Sequence, residues 1–90
     1  MNEIKITIVR DEKDRIIYKK DFEGEESWYE YNDNGNLIHY KNSSGLEFWK
    51  EYDERGNETH YKCSKGFEYW KEYDDSNNMI HYKDSNGYEE

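Results

Sequence analysis

The sequence predicts an all-β fold, an antiparallel meander of tandem 21-residue β-hairpin repeats in one curved single sheet. Three observations predict it. Trp28, Trp49 and Trp70 recur every 21 residues, and so do His39, His60 and His81, and Tyr31, Tyr52 and Tyr73. A fixed period of this length signals one small unit stacked on copies of itself. Aromatic and β-branched runs alternate with short polar turns, and no run repeats apolar residues at helical spacing for long enough to form a helix. The apolar complement is mainly aromatic, with ten Tyr, three Trp and three Phe at a mean hydropathy of −1.52. A core of Leu, Ile and Val is therefore not available, and cross-strand aromatic pairs must take its place.

Taken in order, Glu3–Val9 (EIKITIV) reads as a first strand. A degenerate unit follows. Aligning Val9 with Tyr31 sets Ile16 on Ile38, Tyr18 on Tyr40 and Lys19 on Lys41, with one extra residue before Trp28. In that frame Lys13 takes the turn-glycine position and Ile17 the histidine position. Residues 1–27 thus comprise a first strand and an atypical capping repeat, and residues 28–90 three hairpin repeats, all in one domain. Strand-formers fill Phe48–Tyr52 and Phe67–Tyr73, and also Leu37–Lys41 and Met79–Lys83. The first turn of each unit carries Gly35, Gly56 and then Asn77. Glycine and asparagine are the residues that most readily take positive φ, so this slot predicts a left-handed residue in a type I turn with a bulge. The second turn ends on Gly45, Gly66 and Gly87. The total is about eight strands of usual length. The edges are expected at Glu3–Val9 and Met79–Lys83, and another Trp-bearing strand would begin near Glu90.

Period-two alternation sorts side chains onto two faces. One face, expected to be buried, collects Ile16, Tyr18, Tyr29, Tyr31, Ile38, Tyr40, Leu46, Phe48, Tyr52, Tyr61, Phe67, Tyr69, Tyr73, Ile80 and Tyr82. The other carries Trp28 and Glu30, His39 and Lys41, Trp49 and Glu51, His60 and Lys62, Trp70 and Glu72, and His81 and Lys83. Opposed Lys and Glu are expected to pair across it, with little gain at a solvated surface.

The net charge is −9, from 22 acidic and 13 basic residues. That opposes general binding to phosphate backbones and favours a basic partner. The single cysteine, Cys63, excludes an intramolecular disulfide framework. The N-terminal apolar run is too short and too charged for a signal peptide or a membrane span, so a cytoplasmic location is expected.

Few residues suggest chemistry. Equivalent histidines lie two strands apart, about 9.6 Å at ~4.8 Å per strand, whereas one zinc ion needs its nitrogens at about 2.0–2.1 Å. The three His therefore read as one repeated structural position, with no metal or cofactor implied. Cys63 has His60 nearby, but its slot is Asn42 and Asp84 in the sister units and it sits at a turn, which is no nucleophile–base geometry. Glu25-Glu26, Asp74-Asp75 and Glu89-Glu90 fall in turns or at termini, away from the burial that general acids need. No phosphate-cradling loop, zinc-finger spacing or nucleophile elbow is present. The function is therefore expected to lie in a repeated, non-catalytic surface. Aromatic steps with Lys between them look like a stacking platform for single strands, but the glutamates and the net charge oppose it. The candidate partner-binding residues are Trp28, His39, Trp49, Glu51, His60, Trp70, Glu72 and His81, because Trp and Tyr dominate interface hot spots.

Tyr52-Asp53-Glu54-Arg55-Gly56-Asn57 resembles the core of the YD (Rhs-type) repeat, and Tyr31–Asn36 and Tyr73–Asn78 follow it loosely. That resemblance implies tandem β-hairpins. Ser27–Gly35 is similar to the aromatic hairpins of choline- and glucan-binding repeats, which implies a glycan or choline reader of the cell envelope. MORN-type repeats share the period. These likenesses suggest bacteria or their phages. The leading expectation is a non-enzymatic acidic inhibitor of a larger nucleic-acid-handling protein with a basic surface, such as a phage anti-CRISPR-type inhibitor of a Cas nuclease. An immunity protein or antitoxin is the nearest alternative, and a glycan or choline module a further one. The partner is expected to be protein, with neither nucleic acid nor membrane bound directly, and the chain to be a monomer or an edge-paired dimer.

Overall fold

The structure is a computed structural model that describes residues 5–90. Eight strands form one antiparallel sheet in sequence order, with no crossover and no closure into a barrel. They are β1 (Thr7–Arg10), β2 (Ile16–Lys20), β3 (Glu26–Tyr31), β4 (Leu37–Asn42), β5 (Glu47–Tyr52), β6 (Glu58–Cys63), β7 (Glu68–Tyr73) and β8 (Met79–Asp84). The expected first strand is thus seen from Thr7 onward, and its residues before Lys5 lie outside the described part. No helix occurs among the described residues, so none is long and apolar enough to cross a membrane.

The first turns form as the Gly/Asn exchange predicts. Gly35 and Gly56 have φ of 85° and Asn77 of 65°. Register shifts at Arg10, Tyr31, Tyr52 and Tyr73 are the expected bulges, and the following repeat reaches the first three. A bulge disturbs the ladder and frees a carbonyl. The next repeat satisfies it: the hydroxyls of Tyr31, Tyr52 and Tyr73 donate to the carbonyls of Ile16, Leu37 and Glu58 at 2.7, 2.8 and 2.9 Å. At the other end, Ser43, Ser64 and Ser85 clamp Glu26, Glu47 and Glu68, each donating its N–H to the Glu carbonyl and accepting the Glu N–H on its hydroxyl.

The capping repeat corrects the sequence alignment. The left-handed residue of its first turn is Asp14, φ 66°, not Lys13. Asp14, Gly35, Gly56 and Asn77 are 21 apart, so the frame runs unbroken and no extra residue precedes Trp28. The histidine position accordingly falls on Tyr18, not Ile17. Tyr18 pairs with Trp28 and lies on the Trp face, not on the presumed buried face. Residue type aligns Tyr18 with Tyr40, but the turn hydrogen bonds at Asp11 and Asp14 set the frame.

The remaining face assignment from Tyr29 onward agrees with the register. The burial expectation needs correction, because a single layer encloses no core. Cys63, at 8% exposure, is the one buried apolar residue among those described, and Ile80, assigned to the buried face, is 60% exposed. Leu46 and Phe67 sit in the second turns, just ahead of their strands. What replaces a core is a chain of rings, half-buried from Tyr29 to Tyr82 and exposed at Tyr88. Tyr29, Tyr40, Phe48, Tyr61, Tyr69, Tyr82 and Tyr88 touch in succession, with centroids 5.1–5.9 Å apart, across β3 to β8 and the segment after it. Lys50 and Lys71 lay their ammonium groups over Phe48 and Tyr69. Such contacts add to area burial on each ring pair.

The register also corrects the spacing between units. Trp28 pairs with Lys41, while Trp49 pairs with His39, which faces Glu30. Each repeat therefore steps two residues along the strand direction as it moves two strands across. Equivalent positions are about 12 Å apart, not about 9.6 Å.

Candidate functional site

The Trp face holds three copies of one polar cluster. Cross-strand pairing sets Glu30 opposite His39 and His39 opposite Trp49, and the next unit sets Glu51 opposite His60 and His60 opposite Trp70. His39 Nδ1 lies 3.0 Å from Glu30 and its Nε2 2.7 Å from Glu47. The corresponding distances are 2.9 and 2.6 Å for His60 with Glu51 and Glu68, and 3.1 and 2.8 Å for His81 with Glu72 and Glu89. A neutral imidazole has one N–H to donate. The imidazolium has two, so two carboxylates, one on each ring nitrogen, favour the charged form of the histidine.

The titration shifts agree. The hydrogen bond to Glu30 is the main force raising the His39 pKa above its ordinary 6.5, with Glu47 adding to it against burial. Burial is the largest single influence on His60 and lowers its pKa, yet Glu51 and Glu68 together outweigh it and the net shift is upward. Glu72 and then Glu89 raise His81. Each of the first two imidazoliums also stacks on an indole, His39 on Trp49 at 5.4 Å and 12° between planes, His60 on Trp70 at 5.3 Å and 11°. A cation on an indole face is a favourable contact.

This arrangement overturns the expected Lys–Glu pairing. Among the described residues every ion pair on the Trp face joins a histidine to a glutamate, and none joins Lys41, Lys62 or Lys83 to one. Histidine wins because it reaches carboxylates on both neighbouring strands at once. Glu47, Glu68 and Glu89 are partners that face alternation alone does not identify. Their signal was the 21-residue recurrence of Glu26, Glu47, Glu68 and Glu89 beside the histidine recurrence.

The capping repeat shows that the cluster is one unit. There Tyr18 takes the histidine slot, stacks on Trp28 at 5.7 Å, and donates its hydroxyl to Glu26 at 2.5 Å. The slot of Glu30 is filled by Val9, which faces Tyr18. A phenol has one donor, and the second carboxylate is absent where the second donor is absent.

Among the predicted partner-binding residues, Trp28, Trp49 and Trp70 are 39–41% exposed. The side chains of Glu51 and Glu72 are 72% and 69% exposed even while bonded to histidine. Glu30, His39, Trp49 and Glu51 line an open groove of about 540 Å³. The stagger keeps the three units apart, and no group of three or more His, Cys, Asp or Glu among the described residues is placed to hold a metal ion.

Cys63 ends β6 in the position where Asn42, Asp84 and Asp21 accept backbone N–H groups of their turns. The backbone N–H of Lys65, with those of Phe67 and Gly66, holds its thiol below the ordinary value against burial. It lies on the Tyr face, opposite Phe48, while His60 is on the Trp face, so the two do not form a nucleophile–base pair.

Exposed acidity gathers elsewhere. Glu12, Asp33, Glu54 and Asp75 occupy one slot of the four first turns and are all exposed. Their neighbours Asp11, Asp53 and Asp74 are committed to their own turns, accepting backbone N–H groups from Arg15, Asn57 and Asn78, which hold these carboxyls below the usual range. The second turns carry Glu23, Ser44, Lys65 and Asn86 at their tips. The long edge formed by the first turns is therefore the more acidic of the two.

No known protein family matches this chain, and no curated protein does.

Proposed function

We propose that the protein is a non-enzymatic acidic binding protein that inhibits a larger nucleic-acid-handling protein by occupying its basic surface. The observation that carries this reading is the threefold row of open indoles, Trp28, Trp49 and Trp70, running beside an acidic edge. Exposed Trp supplies contact energy at an interface, and carboxylates supply orientation and on-rate against a cationic surface. Lys41, Lys62 and Lys83 stand opposite the indoles, with Glu51, Glu72 and the histidines beside them, so the partner meets a surface of alternating charge. The YD-like turns suit such a surface, because tandem hairpins repeat one motif at fixed pitch.

A phage-encoded inhibitor of a Cas nuclease is the specific form of this reading. An immunity protein for a nuclease toxin would use the same surface. DNA cleavage by candidate nucleases in the presence of the protein is the test. Inhibition that weakens between about 0.05 and 0.5 M salt, and that Trp49→Ala reduces, is expected. Absence of binding at low salt would remove the proposal.

A glycan- or choline-binding module is a second reading, favoured by the open indole faces flanked by carboxylates. Choline or soluble glucans would then change Trp fluorescence, and an unchanged spectrum would discard it.

A further inference from the structure

The two outer edges of the sheet are not alike. At β8 the chain turns back on itself: Lys83 bridges Glu89, and Tyr82 and Glu90 exchange backbone hydrogen bonds. That edge is partly closed. No strand among the described residues pairs with the outer side of β1, whose four residues are all exposed. Ile6, Ile8 and Val9 are 53%, 43% and 42% exposed. Proteins usually blunt such an edge by shortness, charge, proline or a covering segment; β1 is short and flanked by Lys5 and Arg10, but the stretch from Ile6 to Val9 itself carries neither charge nor proline.

The backbone of β1 defines which groups are free. The Asp11 N–H bonds back to the Arg15 carbonyl, toward β2. Peptide groups alternate along an antiparallel strand, so Val9 and Thr7 also bond toward β2. Ile6, Ile8 and Arg10 then present their N–H and C=O groups outward.

We infer that β1 pairs with β1 of a second copy, antiparallel, about a two-fold axis through Ile8. Three registers are conceivable. Centring on Ile8 sets Ile8 against Ile8 and Ile6 against Arg10 twice, so every outward-facing residue from Ile6 to Arg10 finds a partner. Centring on Thr7 leaves Arg10 opposite residue 4, outside the described residues. Centring on Val9 leaves Ile6 opposite Glu12 in the turn and sets Lys5 against Lys13. The Ile8 register instead brings Lys5 to the acidic first turn of the other copy, with Asp11, Glu12 and Asp14. It also packs four isoleucines together on the Tyr face and sets Thr7 beside Val9 on the Trp face. A single strand pair buries less than the roughly 1,200 Å² of a stable interface, so the dimer is weak and concentration-dependent.

Cysteine cross-linking tests both the pairing and its register. Cys63 is first replaced by its sister residue, Cys63→Asn. Directly opposed residues of a hydrogen-bonded pair have Cα atoms about 5.5 Å apart, within the range of about 4.4–6.8 Å that a disulfide spans. Ile8→Cys is expected to form a disulfide-linked dimer on mild oxidation. Thr7→Cys and Val9→Cys are expected to cross-link when mixed, but not alone. Preferential self-linkage of Thr7→Cys or Val9→Cys would overturn the register. Wild-type protein supplies a control free of substitutions. Sedimentation velocity that rises with concentration, and that Ile8→Lys flattens while the far-UV spectrum is kept, supports the dimer. A wild-type monomer at every concentration up to the solubility limit overturns it.

Discussion

The two faces of this sheet are built from the same strands but solve different problems. On the Tyr face seven rings touch in one chain, so each repeat leans on the next. On the Trp face the rings occur in separate pairs, Tyr18 with Trp28, His39 with Trp49 and His60 with Trp70, held by carboxylates. The continuous ladder carries the fold. The interrupted one leaves indoles open at about 40% exposure and commits its charges within the sheet. A one-layer protein has no enclosed core, and it assigns cohesion to one side and display to the other.

Breaking the ladder should have the largest effect. Tyr61 contacts Phe48, Phe67 and Tyr69 at its centre. Tyr61→Ala is expected to cost about 2–3 kcal/mol, below the usual range for a fully buried ring because Tyr61 is half-buried. The midpoint of urea unfolding measures it, and a loss no larger than that of an exposed-loop alanine would dissolve the comparison.

A turn substitution touches neither face. Gly56 sits at φ 85° with room for a methyl group, so the cost of Gly56→Ala is backbone strain alone, about 1–2 kcal/mol. An unchanged thermal midpoint would mean that the turn can relax.

The Trp face should show itself in pH dependence. The folded-state pKa values of His39, His60 and His81 lie above the ordinary 6.5. Their contribution is therefore fully present below about pH 6.5 and is lost as pH rises through the raised values. Asp11, Asp53 and Asp74 are shifted down, so their contribution is lost as pH falls below the ordinary 3.8. Stability should peak on the mildly acid side of neutral. His60→Gln should flatten the alkaline limb, and an unaltered limb would show that the clusters do not stay charged.

Much of this was legible in sequence. The period, the meander, the left-handed slot at Gly35, Gly56 and Asn77, and the two-face division from Tyr29 onward all follow from local rules. The Glu47–His39 and Glu68–His60 contacts were not legible, because period-two alternation gives the face of a residue but not which neighbour it reaches. The frame of the capping repeat was misread at Tyr18 for a related reason: residue type suggested one alignment and the turn hydrogen bonds at Asp11 and Asp14 impose another. The burial of the Tyr face was overestimated because a sequence does not say how many layers will pack.

The division of labour between the faces is tested most directly by unfolding Tyr52→Ala and Trp49→Ala side by side in urea. Tyr52 anchors the Leu37 carbonyl from the Tyr face, whereas Trp49 is 41% exposed on the other. Tyr52→Ala should lower the midpoint more, with Trp49→Ala remaining folded. A Trp49→Ala protein that unfolds while Tyr52→Ala stays intact would contradict the account.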